Sequence, residues 1–166
     1  MNYAKIRKFD VSNGPGVRST LFVSGCTNKC DGCFNKELQD FNYGEKWTKD
    51  IEDDFIKQVM NPNIVGVNIL GGEPMDQVRD EDLCNLLRRI KYETNKSIWL
   101  WSGYLYEDII GSDDKRNILE YVDVLIDGRF EIEKRNISLS YRGSGNQRVI
   151  DIKKSRESNK IIEIEV

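Results

Sequence analysis

Residues 20–34 read TLFVSGCTNKCDGCF and join a short apolar run to a glycine-bearing loop. The run at 20–23 is typical of a β-strand, and the loop after it holds Cys26, Cys30 and Cys33 in the spacing C-x3-C-x2-C. A loop this short can wrap three thiolates around one face of an iron–sulfur cube and leave the fourth iron open. The stretch therefore predicts a strand-to-loop junction of an α/β fold and, at that junction, an open metal cluster.

The main alternative for these cysteines is a structural zinc site. Structural zinc takes four ligands, commonly cysteines and histidines in paired groups, but the chain has no histidine and only one further cysteine, Cys84. Cys84 belongs to a helical apolar pattern, so we expect it on the core-facing side of a helix. That pattern comprises Leu83, Leu86, Leu87 and Ile90. Because three ligands fit an open cluster better than a closed tetrahedron, the spacing favours iron–sulfur over zinc.

The absence of histidine also narrows the functional classes. The chain can contain no Ser-His-Asp or Cys-His arrangement, no H-E-x-x-H metal helix and no histidine general base. Most hydrolase and metalloprotease functions are therefore excluded. We expect a bound cofactor to carry the chemistry.

Length and charge indicate one ordinary soluble domain. The chain has 166 residues, of which 39% are hydrophobic and 32% charged, and its net charge is −3. This balance gives no electrostatic reason to expect nucleic acid or an anionic membrane as a partner. The N-terminus lacks a signal-peptide pattern, and no apolar run approaches the roughly 20 residues of a membrane helix. We expect a cytoplasmic protein with reduced thiols.

Strand and helix patterns alternate along the chain. Apolar runs predict strands at 20–23, 64–70, 98–101 and 122–126, and helical spacing predicts helices after Thr48, over 78–90 and over 115–121. Such alternation is typical of a parallel sheet covered by helices. A closed eight-unit barrel needs about 250 residues, so a chain of four or five units predicts an α/β fold with a partial, open β/α barrel and a mainly parallel sheet.

The last dozen residues stand apart from this pattern. We assign residues 1–154 to a single domain and residues 155–166 to a C-terminal tail. Alternation after Ile162 is typical of an edge strand, and a poorly ordered tail is an equal alternative.

An unusual motif follows each predicted strand. After the cysteines come Gly71-Gly72-Glu73-Pro74, Ser102-Gly103-Tyr104 and Asp127-Gly128-Arg129. Ligands gather at the carboxyl ends of parallel strands. We therefore expect these motifs to converge on one ligand-binding opening at this edge of the sheet.

The Gly-Gly-Glu-Pro motif suits an amino-acid-like ligand. Gly71 and Gly72 lack Cβ atoms, which lets a ligand approach the backbone, and the Glu73 carboxylate can accept from an ammonium group. The structural alternative is a glycine turn in which Pro74 opens a helix. The position of the motif, one strand–helix unit after the cysteines, favours the ligand site.

Together these motifs resemble the radical S-adenosylmethionine (SAM) enzymes. More narrowly, they are similar to the family of anaerobic ribonucleoside-triphosphate reductase activases, which generate a glycyl radical and include T-even phage members. The resemblance reaches to about residue 151 and implies a radical SAM type of domain. The matching segments are residues 13–18, 21–26, 101–104, 124–128 and 142–147.

The resemblance implies the cofactors, the reaction and the partners. Cys26, Cys30 and Cys33 would hold a [4Fe-4S] cluster whose fourth iron chelates SAM. Reductive cleavage of SAM would give a 5′-deoxyadenosyl radical, which abstracts hydrogen from a glycine of the large subunit of the reductase. A flavodoxin or ferredoxin would supply the electron.

The resemblance also implies roles for further residues. Gly32 and Phe34 would line the cofactor, with Phe34 replacing the aromatic residue that many members carry just before the third cysteine. Gly71, Gly72 and Glu73 would meet the methionine amino group. Ser102 and Asp127 would make polar contacts to the cofactor, although Asp127-Gly128 is equally typical of a turn.

Two arginine-bearing segments carry weaker signals. Arg18 follows an Asn-Gly-Pro-Gly turn, where it could orient the cofactor or a partner, but a solvated arginine beside a hairpin is the expected state. Arg142 to Arg148 combines arginines with amide side chains in a glycine-rich loop, which suits either a rim contact for the reductase or a plain surface loop.

Two other functional classes remain open at this point. One is a small radical SAM enzyme acting on a metabolite, such as one resembling a deazaguanine-forming synthase, which would need a preformed pocket beside the cluster. The other is a zinc-bearing, non-enzymatic binding module that uses all four cysteines as closed ligands.

Overall fold

Seven strands form a single sheet in the computed structural model, which describes residues 1–166. They are β1 (Asn2–Asp10), β2 (Arg18–Ser24), β3 (Glu45–Lys46), β4 (Gly66–Gly71), β5 (Ser97–Trp101), β6 (Val124–Asp127) and β7 (Arg148–Asp151). Their order across the sheet is β3-β1-β2-β4-β5-β6-β7. β2, β4, β5 and β6 are parallel, whereas β1, β3 and β7 pair antiparallel at the two sides. The fold is therefore α/β, with a mixed sheet that is parallel in its centre.

Five α-helices connect or follow these strands. They are α1 (Lys49–Val59), α2 (Asp82–Arg89), α3 (Tyr106–Ile110), α4 (Asp113–Arg116) and α5 (Ile152–Ser158). Short 3-10 turns lie at Lys36–Gln39, Pro74–Asp76, Asn117–Glu120 and Ile132–Lys134, and a π-helical turn, Ile90–Thr94, extends α2. No helix combines the length and the apolar character needed to span a bilayer.

The four strands predicted from apolar runs are confirmed as β2, β4, β5 and β6. The predicted cap of α1 is also confirmed, since the Thr48 hydroxyl accepts from the amide of Ile51 at 3.4 Å. The helix predicted from residue 78 begins only at Asp82, because Glu81 before it has a φ of +59° and cannot continue a right-handed helix. The pattern over 115–121 forms the end of α4 and a 3-10 turn.

One face of the sheet packs against the helices. The core on this side contains 24 buried residues. Leu21, Ile69 and Leu100 come from three neighbouring parallel strands, and Phe55 and Leu86 come from α1 and α2. Because side chains alternate along a strand, the residues between these belong to the opposite face.

The opposite face carries a buried polar network at the amino ends of the strands. Arg18, the first residue of β2, is 1% exposed, so the expectation of a solvated arginine is wrong. Its guanidinium donates to Asn68 Oδ1 at 2.6 Å, to Ser97 Oγ at 3.1 Å and to the carbonyls of Val67 and Ser97. It also lies 5.3 Å from the centroid of the Trp99 ring. Burial without a carboxylate partner lowers the pKa of Arg18 to about 10.

The C-terminal segment returns to the edge of the sheet. Helix α5 spans the expected boundary at residue 154, and the chain then runs beside β7. The amide of Asp151 donates to the carbonyl of Ile162 at 2.9 Å, and the amide of Ile164 donates to the carbonyl of Val149 at 2.8 Å. These bonds are of the kind that an edge strand makes.

Candidate functional site

A cavity of about 430 Å³ opens where the parallel strands end. Its wall includes all three loop cysteines and residues from each of the other three strand-end motifs. These residues are Cys26, Cys30, Cys33, Gly71, Gly72, Glu73, Ser102, Gly103 and Gly128. The predicted convergence of the motifs on one opening is therefore confirmed.

The cysteine loop is anchored at its base by backbone hydrogen bonds. The amide of Gly25 donates to the carbonyl of Leu38 at 2.8 Å, and that of Cys26 donates to the carbonyl of Gln39 at 3.2 Å. Within the loop, the amide of Cys33 donates to the carbonyl of Cys30 at 3.3 Å. All the cysteines of the chain are free thiols, so none is consumed by a disulfide.

The surroundings of two of the thiols raise their pKa values. Burial raises the pKa of the Cys26 thiol, and hydrogen bonds from the amides of Asn28 and Lys29 oppose that rise. Burial also raises the pKa of the Cys30 thiol, against a hydrogen bond from the amide of Phe130. Amide donors of this kind stabilise a thiolate once a metal replaces its proton.

Gly71 and Gly72 are required by the close approach of the cysteine loop. Gly71 has a φ of +113°, and a Cβ atom there would lie 2.8 Å from the carbonyl oxygen of Val23. A Cβ on Gly72 would lie 2.5 Å from the carbonyl oxygen of Gly25. The two glycines thus allow the end of β4 to pack backbone to backbone on the segment before Cys26, while both still line the cavity.

Glu73 is buried and fully hydrogen-bonded within the protein. It is 1% exposed. Its Oε1 accepts from the amide of Met75 at 2.9 Å and from Ser102 Oγ at 2.8 Å, and its Oε2 accepts from Asn28 Nδ2 and from the amide of Gly103, both at 2.7 Å. Burial nevertheless raises the pKa of Glu73 to about 7. One carboxylate therefore joins the cysteine loop to the end of β5.

Asp76 makes a second bridge between the same elements. Its Oδ2 accepts from the amide and the hydroxyl of Thr27, at 2.8 and 2.9 Å, and its Oδ1 accepts from the Tyr104 hydroxyl at 2.8 Å. Asn28, Asp76 and Tyr104 were not among the predicted site residues. The only sequence signal was their position, since each lies in or directly beside a motif that follows a strand.

The remaining predicted site residues occupy different positions. Phe34 lines the cavity and is 64% exposed, with its ring centroid 5.1 Å from that of Phe130. Gly32 is not part of the cavity wall, and its φ of +70° and bare Cα let it pack against Ile132. Asp127 is also outside the wall, where it accepts from Arg148 and, at 2.7 Å, from the amide of Tyr106.

The segment after β6 forms the far wall of the cavity. Trp101 Nε1 donates to the carbonyl of Tyr141 at 2.7 Å, and Arg142 Nη1 donates to the carbonyl of Gln147 at 2.9 Å. Trp101, Tyr141, Arg142 and Gln147 all line the cavity. The glycine-rich 142–148 segment thus contributes both to the cavity wall and, through Arg148, to the ion pair with buried Asp127.

The donor set of the cavity fits an iron–sulfur cluster better than closed zinc. Its three thiols lie on one wall, and no group of three or more Cys, Asp or Glu side chains is placed to hold a single metal ion. A four-iron cube presents a separate iron to each thiolate, so its ligands need not meet at one ion. Cys84 lies on α2, packed against the helix-side core and away from the cavity wall, where it cannot complete a four-cysteine zinc site.

Comparison with known proteins identifies similar chains. A family model described as a 4Fe-4S single cluster domain matches residues 12–150. The anaerobic ribonucleoside-triphosphate reductase-activating protein of Vibrio cholerae is 39% identical over 150 residues, which are 89% of this chain and 96% of that protein. The protein of the same name from Escherichia coli K12 is 38% identical, with the same coverage of both chains. That of Enterobacteria phage T4 is 38% identical over 90% of this chain and 93% of its own length.

Proposed function

The chain belongs to the family of anaerobic ribonucleoside-triphosphate reductase-activating proteins, and on that basis we propose that it activates such a reductase through an iron–sulfur cluster and SAM. The substrate is then another protein, the large subunit of the reductase. When bound, a reduced cluster would supply the electron for the reductive cleavage of SAM, and this chemistry would end in the removal of a hydrogen atom from a glycine of that subunit.

The three loop cysteines are the proposed cluster ligands. Cys26, Cys30 and Cys33 line one cavity, and backbone amides near Cys26 and Cys30 favour their thiolate forms against the effect of burial. Three protein ligands leave one iron of a cube open for the amino and carboxylate groups of SAM. This juxtaposition of three thiols with the Gly-Gly-Glu-Pro turn is the observation that carries the proposal.

The strand-end motifs are the proposed SAM contacts. Gly71 and Gly72 line the cavity at the end of β4, and Ser102 offers a polar atom at the end of β5. The Glu73 carboxylate already accepts four donors, so it would attract the ligand's ammonium group by charge while holding Ser102 in place. Phe34 supplies an apolar wall. Cofactor contacts of Gly32 and Asp127 stay predictions from the family resemblance.

Several finer features belong to the same proposal. The parallel centre of the sheet supports an open β/α barrel of the radical SAM type within residues 1–154. Reduced thiols and an exposed iron suit the cytoplasm, where a flavodoxin or ferredoxin would deliver the electron. The names of the relatives favour a protein substrate over a metabolite.

Anaerobic reconstitution with iron and sulfide tests the proposed function. With SAM, a reduced flavodoxin and the large reductase subunit, we expect 5′-deoxyadenosine by chromatography and a glycyl radical by electron paramagnetic resonance (EPR). Cys30→Ala should reduce both signals to background, because it removes a ligand of the cluster. Cys84→Ala, the same substitution outside the cavity, should leave both unchanged. Persistent SAM cleavage in Cys30→Ala, or zinc in freshly isolated protein, would contradict the proposal.

A further inference from the structure

The peptide after Cys26 is held by a single carboxylate. Asp76 accepts from both the amide and the hydroxyl of Thr27, the residue that follows Cys26. It lies on the turn just after the Gly-Gly-Glu-Pro motif but does not itself line the cavity. Its side chain therefore holds the cysteine loop from outside the cavity wall.

The same carboxylate also binds the end of the neighbouring strand. The Tyr104 hydroxyl donates to Asp76 Oδ1 at 2.8 Å and lies 3.3 Å from Thr27 Oγ. Tyr104 follows Ser102 and Gly103, both of which line the cavity. Asp76 thus fixes the distance between the first cysteine of the loop and the cavity wall at the end of β5.

Asp76 works beside Glu73 but on different atoms. Glu73 holds Asn28, the second residue after Cys26, and Asp76 holds Thr27, the first. Two consecutive residues of the loop are therefore attached to one turn by two carboxylates, Thr27 through its backbone amide and hydroxyl and Asn28 through its side-chain amide. Of the two residues only Glu73 lines the cavity, so Asp76 can be altered without changing a residue of the cavity wall.

We propose that Asp76 is a positioning residue that holds the Cys26 thiolate in place for the cluster and adds negative charge beside it. The inference rests on the proposed function, because it takes Cys26 as a cluster ligand. Residues that orient a metal ligand from behind commonly change metal affinity by about 10- to 100-fold when they are removed. Negative charge near a cluster disfavours the extra electron and makes the reduction potential more negative.

Two substitutions at this position separate geometry from charge. Asp76→Ala removes all three acceptor contacts, so the anaerobically reconstituted protein should lose iron to a chelator about 10- to 100-fold faster than the wild type. It should also show an altered EPR spectrum of the reduced cluster. Asp76→Asn keeps the shape and one acceptor oxygen while removing the charge, so it should retain iron better than Asp76→Ala and shift the reduction potential in the positive direction.

An exposed aspartate provides the matched control. The side chain of Asp113 at the start of α4 is 91% exposed, and Asp113→Ala and Asp113→Asn make the same chemical changes away from the cavity. Both should match the wild type in iron loss, EPR spectrum and potential. Tyr104→Phe, which removes only one of the three bonds to Asp76, should lie between the wild type and Asp76→Ala.

The readouts distinguish this inference from the proposed function. If the wild type activates the reductase and both Asp76 variants match it in iron loss, spectrum and potential, the positioning role is overturned and the function stands. If Asp76→Ala fails to fold, Asp76→Asn and Tyr104→Phe decide by the same measurements. A reconstituted wild type that retains no iron overturns both proposals. One that holds iron but does not activate the reductase overturns only the function, and the chelation series then decides on Asp76.

Discussion

The two faces of the sheet differ in what they bury. The helix-covered face buries aliphatic side chains such as Leu21 and Ile69, whereas the opposite face buries Arg18, Thr20 and Asn68 in one hydrogen-bonded network beside a small apolar cluster around Trp99. The same strands supply both sets, because successive side chains alternate between faces. Apolar burial stabilises without directional demands, but each buried polar group needs a partner. The first face therefore supplies most of the apolar core, and the second organises polar groups beneath the cavity.

The polar face itself changes along the strands. At the amino ends, Arg18 and Asn68 satisfy each other and close the space. At the carboxyl ends, three thiols line a cavity in which a ligand can bind. Stability and chemistry are thus separated both across the sheet and along it.

The largest expected effect tests the helix-covered face. Leu86→Ala on α2 removes a fully buried side chain of the apolar core, so the free energy of unfolding should fall by about 2–5 kcal/mol in urea denaturation. Reductase activation per folded molecule should not change, because Leu86 does not line the cavity. Leu105→Ala, at a 43% exposed position, should cost far less. Activation that falls in parallel with stability would break the division between the faces.

A smaller effect is expected at the closed end of the polar face. Arg18→Met keeps most of the side-chain volume but leaves buried acceptors such as Asn68 Oδ1 without a donor, so unfolding should become easier by about 1–3 kcal/mol. Arg116→Met, at a side chain that is 57% exposed, is the control and should be nearly neutral. If Arg18→Met is more stable than the wild type, the polar network destabilises the folded protein and the prediction is contradicted.

Counted per pH unit, the smallest effect is a pH dependence at the open end of the polar face. Burial raises the pKa of Glu73 from 4.5 to about 7, so the folded state holds this proton more tightly than the unfolded chain does. The resulting stabilisation is complete below pH 4.5 and is lost as the pH rises to about 7, at about 1 kcal/mol per pH unit. Urea denaturation of the cluster-free protein at several pH values measures this slope. Glu73→Gln should lack that contribution, and equal slopes in the two proteins would contradict it.

Sequence patterns predicted the apolar half of the fold well. The central strands and the Thr48 cap follow from local apolar spacing and from one side-chain hydrogen bond. Local sequence patterns did not predict β1, β3 and β7. β1 mixes Lys5, Arg7 and Lys8 with apolar residues, and β3 and β7 have two and four residues, so their strand state depends on pairing with distant segments.

The location of the candidate site was predictable from the sequence, but the hydrogen bonds within it were not. Motifs that follow parallel strands converge because strand ends share an edge, which requires no knowledge of side-chain contacts. The bonds of Glu73 to Asn28 and of Asp76 to Tyr104 join residues 45 and 28 positions apart. The burial of Arg18 likewise depends on Asn68 and Ser97 from other strands. No local spacing encodes these partners.

The two margins of the sheet limit how another molecule can attach. Beside β7, the returning tail already occupies the backbone groups of Val149 and Asp151. At the other margin, β3 covers only the first residues of β1, and the uncovered part carries Lys5, Arg7 and Lys8. Positive charge along an exposed strand discourages edge-to-edge aggregation. Neither edge of the sheet therefore favours the addition of a strand from another polypeptide. Such a partner is expected to bind at the end of the sheet, through the loops that surround the thiols.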